Sequence, residues 1–302
     1  MKTGDEYFDS AEFLDMLDQY ETAVNTGQPV FMDADELAEI ADYYQLTDRH
    51  DEADKAIALA LQLSPGAISP LTYKIHEAIY NGDIELAKDF LAQIIDRADP
   101  DYIYDKGEIM LAEGKADEAD SYFREELKDV PSDEYQDYVI DVASIFGDYG
   151  YNEQAMSWMM RAKHEDTPAF KELMARTLFG IGKYKDSEKL FNELIDTDPY
   201  SKRYWNALAS AQFMNEDYSG SVQSSEFVIA IDPDDAEGII AKANGLYRLG
   251  NFDEALQYYT RYLEQEPDDE FAILHQGICM VNLGRSKEAI DLLKEALQKA
   301  IA

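Results

Sequence analysis

Self-similarity at a period near 34 residues constrains this chain more than any single motif. A small inward residue stands at positions 53, 87, 119, 155, 187, 221, 255 and 289, with steps of 34, 32, 36, 32, 34, 34 and 34. The cleanest copy of its surroundings is Gly250-Asn251-Phe252-Asp253-Glu254-Ala255. Related copies run Gly82 to Ala87, Gly114 to Ala119, Gly150 to Ala155 and Gly284 to Ala289, while Ser187 and Ser221 replace the alanine and Asp48 and Glu216 replace the glycine. Glycine there ends one helix, and the acidic turn after it opens another. A second mark, Pro65, Pro131, Pro199, Pro233 and Pro267, follows the small residue by about twelve positions and suits the first turn of a new helix. Between the marks, apolar residues recur every three or four positions, so each period reads as a pair of helices. In the pair beginning at Ala236, Ile239, Ala243 and Leu246 share one face of the first helix, and Leu256, Tyr259 and Leu263 face inward from the second. Antiparallel helices at close range need little bulk where they cross. Ala41, Gly107, Ala143, Ala175, Ala209, Ala243 and Gly277 mark that crossing on the first helices, and Ile75 departs from the pattern.

Repeats of this length stack on their neighbours and need no central core. The 302 residues contain no Pro-rich, Ser-rich or low-complexity linker, and with 46% hydrophobic and 12% aromatic residues the chain is too apolar to be a disordered acidic polymer. Residues 1–33 read as an N-terminal capping helix and linker. Within them, Phe8, Phe13, Leu14, Leu17, Tyr20 and Val24 lie along one helix, with acidic residues opposite. Residues 34–302 read as eight tandem repeats starting near 34, 68, 100, 136, 168, 202, 236 and 270. Their last helix ends the sequence with Leu292, Leu293, Leu297 and Ile301 uncovered, so either this end associates with a second copy or the sequence stops short of the natural C-terminus.

The pattern resembles the tetratricopeptide repeat family. Trp205-x-x-Leu208-Ala209 and Gly250-x-Phe252-x-x-Ala255-x-x-x-Tyr259 carry the likeness, which extends over about residues 34–302. It implies an all-α fold, a right-handed alpha-alpha superhelix of helix pairs, and a non-enzymatic scaffold that binds a partner peptide or helix. In that family the concave groove is lined by the first helix of each pair. Helical phase then places Asp42, Tyr73, His76, Tyr80, Tyr104, Glu108, Ile140 and Ser144 in the groove of the early repeats. Arg176, Phe179, Arg203, Asn206, Phe213, Asn244, Tyr247 and Arg248 follow in the later ones. Such a surface is aromatic throughout, acidic early and basic late. The family's carboxylate clamp, built of Lys, Asn, Asn, Lys and Arg over three repeats, does not transfer, because Asp and Glu occupy several of its places. Asn206, Asn244 and Arg248 match fragments of it.

Asp and Glu number 63 against 26 Lys and Arg, a net charge of −37 that repels nucleic acid. Residues 1–150 hold 37 acidic and 10 basic side chains and residues 151–302 hold 26 and 16, so the N-terminal half favours a basic partner. No disulfide can form within a chain that has one cysteine, Cys279, in an apolar helical run. The start lacks a secretory signal and no window reads as membrane-spanning, which makes a cytoplasmic protein without a membrane partner the expectation. His50, His76, His164 and His275 lie in different repeats without carboxylate or cysteine at ligand spacing, so no metal or other cofactor is expected. Asp232 to Gly238 lacks the glycine and final glutamate of a calcium loop. No phosphate loop or activated nucleophile is visible. A cluster of Met156, Trp158, Met159 and Met160 offers a second candidate contact on the outside, unless the helix turns Met159 inward and the tryptophan covers a neighbour.

Overall fold

The computed structural model describes residues 7–163 and 166–301, with side chains described for all of these except 295 and 297–301. Among the described residues it is 75% helical, with 17 α-helices and no strand. After α1 (Ala11–Thr26) the helices come in pairs. They are α2 (Ala34–Leu46) with α3 (His50–Leu63), α4 (Ile68–Tyr80) with α5 (Ile84–Leu91), α6 (Pro100–Ala112) with α7 (Ala116–Glu126), and α8 (Tyr135–Asp148) with α9 (Asn152–Met159). Four more follow: α10 (Pro168–Gly180) with α11 (Tyr184–Thr197), α12 (Lys202–Met214) with α13 (Tyr218–Ile231), α14 (Ala236–Arg248) with α15 (Phe252–Gln265), and α16 (Glu270–Asn282) with α17 (Ser286–Ile301). The fold is the all-helical repeat array that the periodicity implied.

The chain divides into two compact units, Met1–Tyr138 and Val139–Ala302. In the first, α1 buries Phe13, Leu17 and Tyr20 against Leu37, Ile40, Ala41 and Tyr44 of α2, while Leu14 and Val24 of α1 remain exposed. The capping box at Asp33 and Glu36 starts α2 by satisfying three backbone N–H groups that the helix itself leaves free. In the second unit Ala243, Leu246, Ala255, Leu256, Tyr259, Ala272 and Cys279 share one core, so the cysteine is a buried hydrophobe whose thiol burial pushes up to about 11. No described helix is long and apolar enough to cross a membrane.

Local chemistry fixes the turns. Gly82, Gly114, Gly150, Gly250 and Gly284 all adopt left-handed backbone at the end of the first helix, and so do the two residues that replace glycine there, Asp48 (φ 57°) and Glu216 (φ 64°). A side chain in that region is strained by about 1–2 kcal/mol, part of which glycine gives back as conformational entropy lost on folding. Asp48→Gly and Glu216→Gly are each expected to stabilise by about 0.5–1 kcal/mol, read as a rise in thermal midpoint. An unchanged or lowered midpoint would contradict it.

The two serines in the small-residue series differ. Both are fully buried, but Ser187 Oγ donates to the Ala175 carbonyl at 2.8 Å, whereas Ser221 Oγ finds no hydrogen-bond partner among the described residues. The outer cluster at residues 156–160 is not an exposed contact. Trp158 and Met159 are buried, Arg161 lies 4.8 Å over the indole, Met156 is half-buried and Met160 projects outward. The short helix α9 turns its tryptophan toward the core, as the covering role required.

Candidate functional site: two grooves of different chemistry

In the N-terminal unit, helical spacing lines up Asp35, Glu39, Asp42 and Gln45 along α2 and Ser69, Tyr73, His76, Glu77 and Tyr80 along α4. Together with Asp101 at the start of α6 they enclose a groove of about 660 Å³. Asp42, Tyr73 and Tyr80 therefore share one site, and Tyr80 is 91% exposed at its edge. Tyr73 donates to Gln45 Oε1 at 3.1 Å, and Ser69 to Asp35 Oδ1 at 2.7 Å, which ties the two walls together. Lys74 balances Glu77 and Asp54 at 2.7 and 2.8 Å. Among the described residues no Lys or Arg pairs with Asp35, Glu39 or Asp42. Glu39 accepts a hydrogen bond from the Tyr7 hydroxyl.

His76 holds the far end of this groove to the next repeat. Its Nε2 lies 3.2 Å from Asp105 Oδ1 and 3.6 Å from Glu108 Oε2, and Thr72 Oγ1 donates to the other oxygen of Asp105 at 2.7 Å. Asp105 is almost wholly buried. Burial opposes the imidazolium, but the hydrogen bond to Asp105 and the charges of Glu108, Asp105 and Asp42 outweigh it, so the His76 pKa lies above its ordinary value. Asp42 opens onto the groove, yet its walls hydrate it poorly. Burial pushes its carboxyl up to about 6, with His76 pulling down and Glu39 pushing up. Sequence spacing missed Asp105 because its partners sit 29 and 33 residues earlier, one whole repeat away. Tyr104 stands over Tyr138, with ring centroids 5.8 Å apart, and Glu108 faces His76.

In the C-terminal unit the expected cations and amides are placed on the first helices but engaged internally. Arg176 pairs with Asp148 at 2.8 Å and Arg203 with Glu172 at 2.6 Å. Arg248 stacks on the rings of Tyr218 and Phe213, at 4.4 and 5.6 Å. Asn206 is buried and donates to Asp235, Asn244 accepts from the Tyr259 hydroxyl at 2.7 Å, and Tyr247 packs edge-on against His275 and Phe252. Two cavities open between these groups, of about 390 and 250 Å³. Their walls are mostly carbon, with Phe179 and Ser210 in both. The charges of Arg176 and Arg203 are thus balanced by carboxylate neighbours, Arg248 lies against aromatic rings, and aromatic surface remains.

Of the histidines, His50 bonds Gln45 at 2.9 Å and His275 bonds the Phe271 carbonyl at 2.8 Å, while His164 lies outside the described residues. Among the described residues no group of three or more His, Cys, Asp or Glu is arranged to hold a metal ion.

Comparison with known proteins places this geometry. The tetratricopeptide repeat family model matches residues 173–236 and 240–302. Over 116 residues, 38% of this chain, the sequence is 28% identical to Protein FlbA of Caulobacter vibrioides, and the match spans 19% of that protein's length. Among solved structures, a crystal structure of MamA protein aligns with 55% of this chain and 92% of its own, at 20% identity and a TM-score of 0.50. MamA 41-end from Desulfovibrio magneticus RS-1 aligns with 54% and 93%, at 14% identity and a TM-score of 0.50. At these identities the likeness is one of fold.

Proposed function

We propose that this chain, an all-helical array resembling the tetratricopeptide repeat family, is a protein-binding scaffold whose N-terminal unit takes a lysine- or arginine-rich segment of a partner. One observation carries the reading: Asp35, Glu39 and Asp42 line a groove with Tyr73 and Tyr80 and, among the described residues, have no Lys or Arg to balance them. Carboxylates crowded on one face gain from a cation that enters between them, and tyrosine rings supply area and cation–π contact at small entropic cost. Charge of this kind sets on-rate and partner choice, and it is screened by salt. An arginine-rich peptide is therefore expected to bind the full chain and to weaken about tenfold between about 50 and 300 mM salt, measured by fluorescence anisotropy. A response flat in ionic strength would remove the electrostatic basis.

The C-terminal pair supports a second reading, association of the chain with itself. Phe271, Leu274 and Val281 of α16 and Ile290 of α17 are all about half exposed, a patch of the kind that soluble chains cover. Of the four residues expected to be uncovered at this end, Leu297 and Ile301 lie outside the described side chains. Sedimentation over a wide concentration range is expected to show a dimer that Phe271→Glu dissociates. A strict monomer throughout would end this reading.

A further inference from the structure

The two cavities of the C-terminal unit lie side by side, with Phe179 and Ser210 as their shared border. Two polar groups in the smaller one are not used by the fold. Ser221 occupies a position where six of the eight repeats carry alanine, so packing there asks for no hydroxyl. The other serine of the series has its hydroxyl bonded to a carbonyl. Ser221 is fully buried, lines the cavity, and its Oγ has no partner among the described residues. A buried hydroxyl left unpaired costs about 1–3 kcal/mol, an expense the other repeats avoid. The second group is Glu237, one turn before Ile240 and Ala241 on the same wall, with no ion pair to any described Lys or Arg. At the other end, Arg176 is held by Asp148, so the larger cavity presents aromatic and aliphatic surface without free positive charge.

We propose that this pair of cavities is a subsite for a partner segment with two neighbouring bulky apolar side chains and an adjacent lysine or arginine. The apolar chains enter on either side of Phe179 and Ser210, and the cation reaches Glu237 with its stem against Ile240. The charge of Glu237 favours a cation over an acidic group at this position, and the carbon-rich walls disfavour a purely polar segment. The proposal rests on the reading of the chain as a peptide-binding scaffold, but it assigns to this unit a chemistry that the acidic groove of the other unit does not have.

The test uses the full chain and a library of short random peptides, panned on the wild type after depletion on Ser210→Trp, whose indole would fill the border between the cavities. Enrichment of sequences with a bulky apolar pair beside Lys or Arg is the expected result. The best of them should bind the wild type and lose about tenfold or more on Ser210→Trp, the scale of one apolar pocket. Glu237→Gln should weaken the same peptide severalfold and leave its lysine-to-norleucine analogue unchanged. Ser221→Ala should raise the thermal midpoint, because an orphan hydroxyl is removed from a helix. If Ser210→Trp fails to fold by circular dichroism, Ala241→Phe blocks the smaller cavity instead. Equal binding by wild type and a folded blocking variant, no such enrichment, or indifference to Glu237→Gln overturns the assignment. The arginine-rich peptide serves as the control. If it binds and the library yields nothing, this subsite falls alone; if neither binds, the scaffold reading falls with it.

Discussion

Phe123→Ala is expected to destabilise the N-terminal unit by about 3–5 kcal/mol, and Gly107→Ala by about 1–3 kcal/mol, while the two together cost less than Phe123→Ala alone. The sign change follows from one contact. Gly107 lies at the crossing of α6 on α7, and a methyl group built on it would fall inside the ring of Phe123, which is fully buried. A ring is rigid and cannot fold aside as a long chain can, so the helices must separate. Once the ring is gone, the methyl fills part of the cavity, and alanine adds about 1 kcal/mol of helix propensity over glycine. Gly277 is the control, because a methyl there meets Leu293 at 3.4 Å, an ordinary contact with a half-exposed flexible side chain. Gly277→Ala should therefore be neutral or stabilising. Both tryptophans lie in the C-terminal unit, so the reading must come from circular dichroism during chemical denaturation rather than from tryptophan emission. If Gly107→Ala is destabilising in both backgrounds, the ring is not what excludes the methyl.

The same residues show how far the sequence could be read. Small residues at the crossings and left-handed turns at Gly or its substitutes are local rules, and a chain that repeats them eight times gives each one a check. Even the replacements at Asp48 and Glu216 take up the backbone that glycine holds elsewhere. That alanine at Gly107 would overlap a ring, although five of its counterparts are alanine, depends on a phenylalanine supplied by the facing helix and is invisible to the pattern of α6 alone. For the groove, helical phase brought Asp42, Tyr73 and Tyr80 to one surface, because phase is set by a single helix. It could not say which charged side chains are already engaged. Arg176, Arg203 and Asn206 have their partners 28 to 31 residues away, as Asp105 does, and such pairing depends on how one repeat lies against the next. For Trp158 the sequence left the outer contact and the covering role both open, because Met160, just past a helix of eight residues, is exposed two positions from a buried indole and composition does not separate the faces.

Binding of an arginine-rich segment to the N-terminal groove is expected to weaken about tenfold to a hundredfold as pH falls from about 8 to about 5.5, from the loss of two unit charges at partly screened distances. Arginine does not titrate in this range, so the change belongs to the protein. Asp42 takes up a proton near pH 6, and His76 becomes cationic as pH falls through a value above its ordinary one. Both events make the groove less negative. The groups that face His76 are Asp42 of α2 and Asp105 and Glu108 of α6, and a protonated imidazole turned to the latter two also neutralises part of the field a ligand would feel. For folding the sign is opposite. Each of these pKa values is raised in the folded unit, so their contribution to stability is full at low pH and is lost as pH rises, through about 4 to 6 for Asp42 and beyond its ordinary range for His76. Solvent reaching Asp42 trims that contribution. Mild acid should thus raise the melting temperature of the free unit while releasing its ligand, and binding should expel protons in the same window. Anisotropy titrations at the two pH values, on the wild type, Asp42→Asn and His76→Gln, decide it. Each substitution should remove part of the pH dependence, and Asp42→Asn should also bind weakly at high pH. A double variant that keeps the full pH dependence would place the titrating groups elsewhere in the chain.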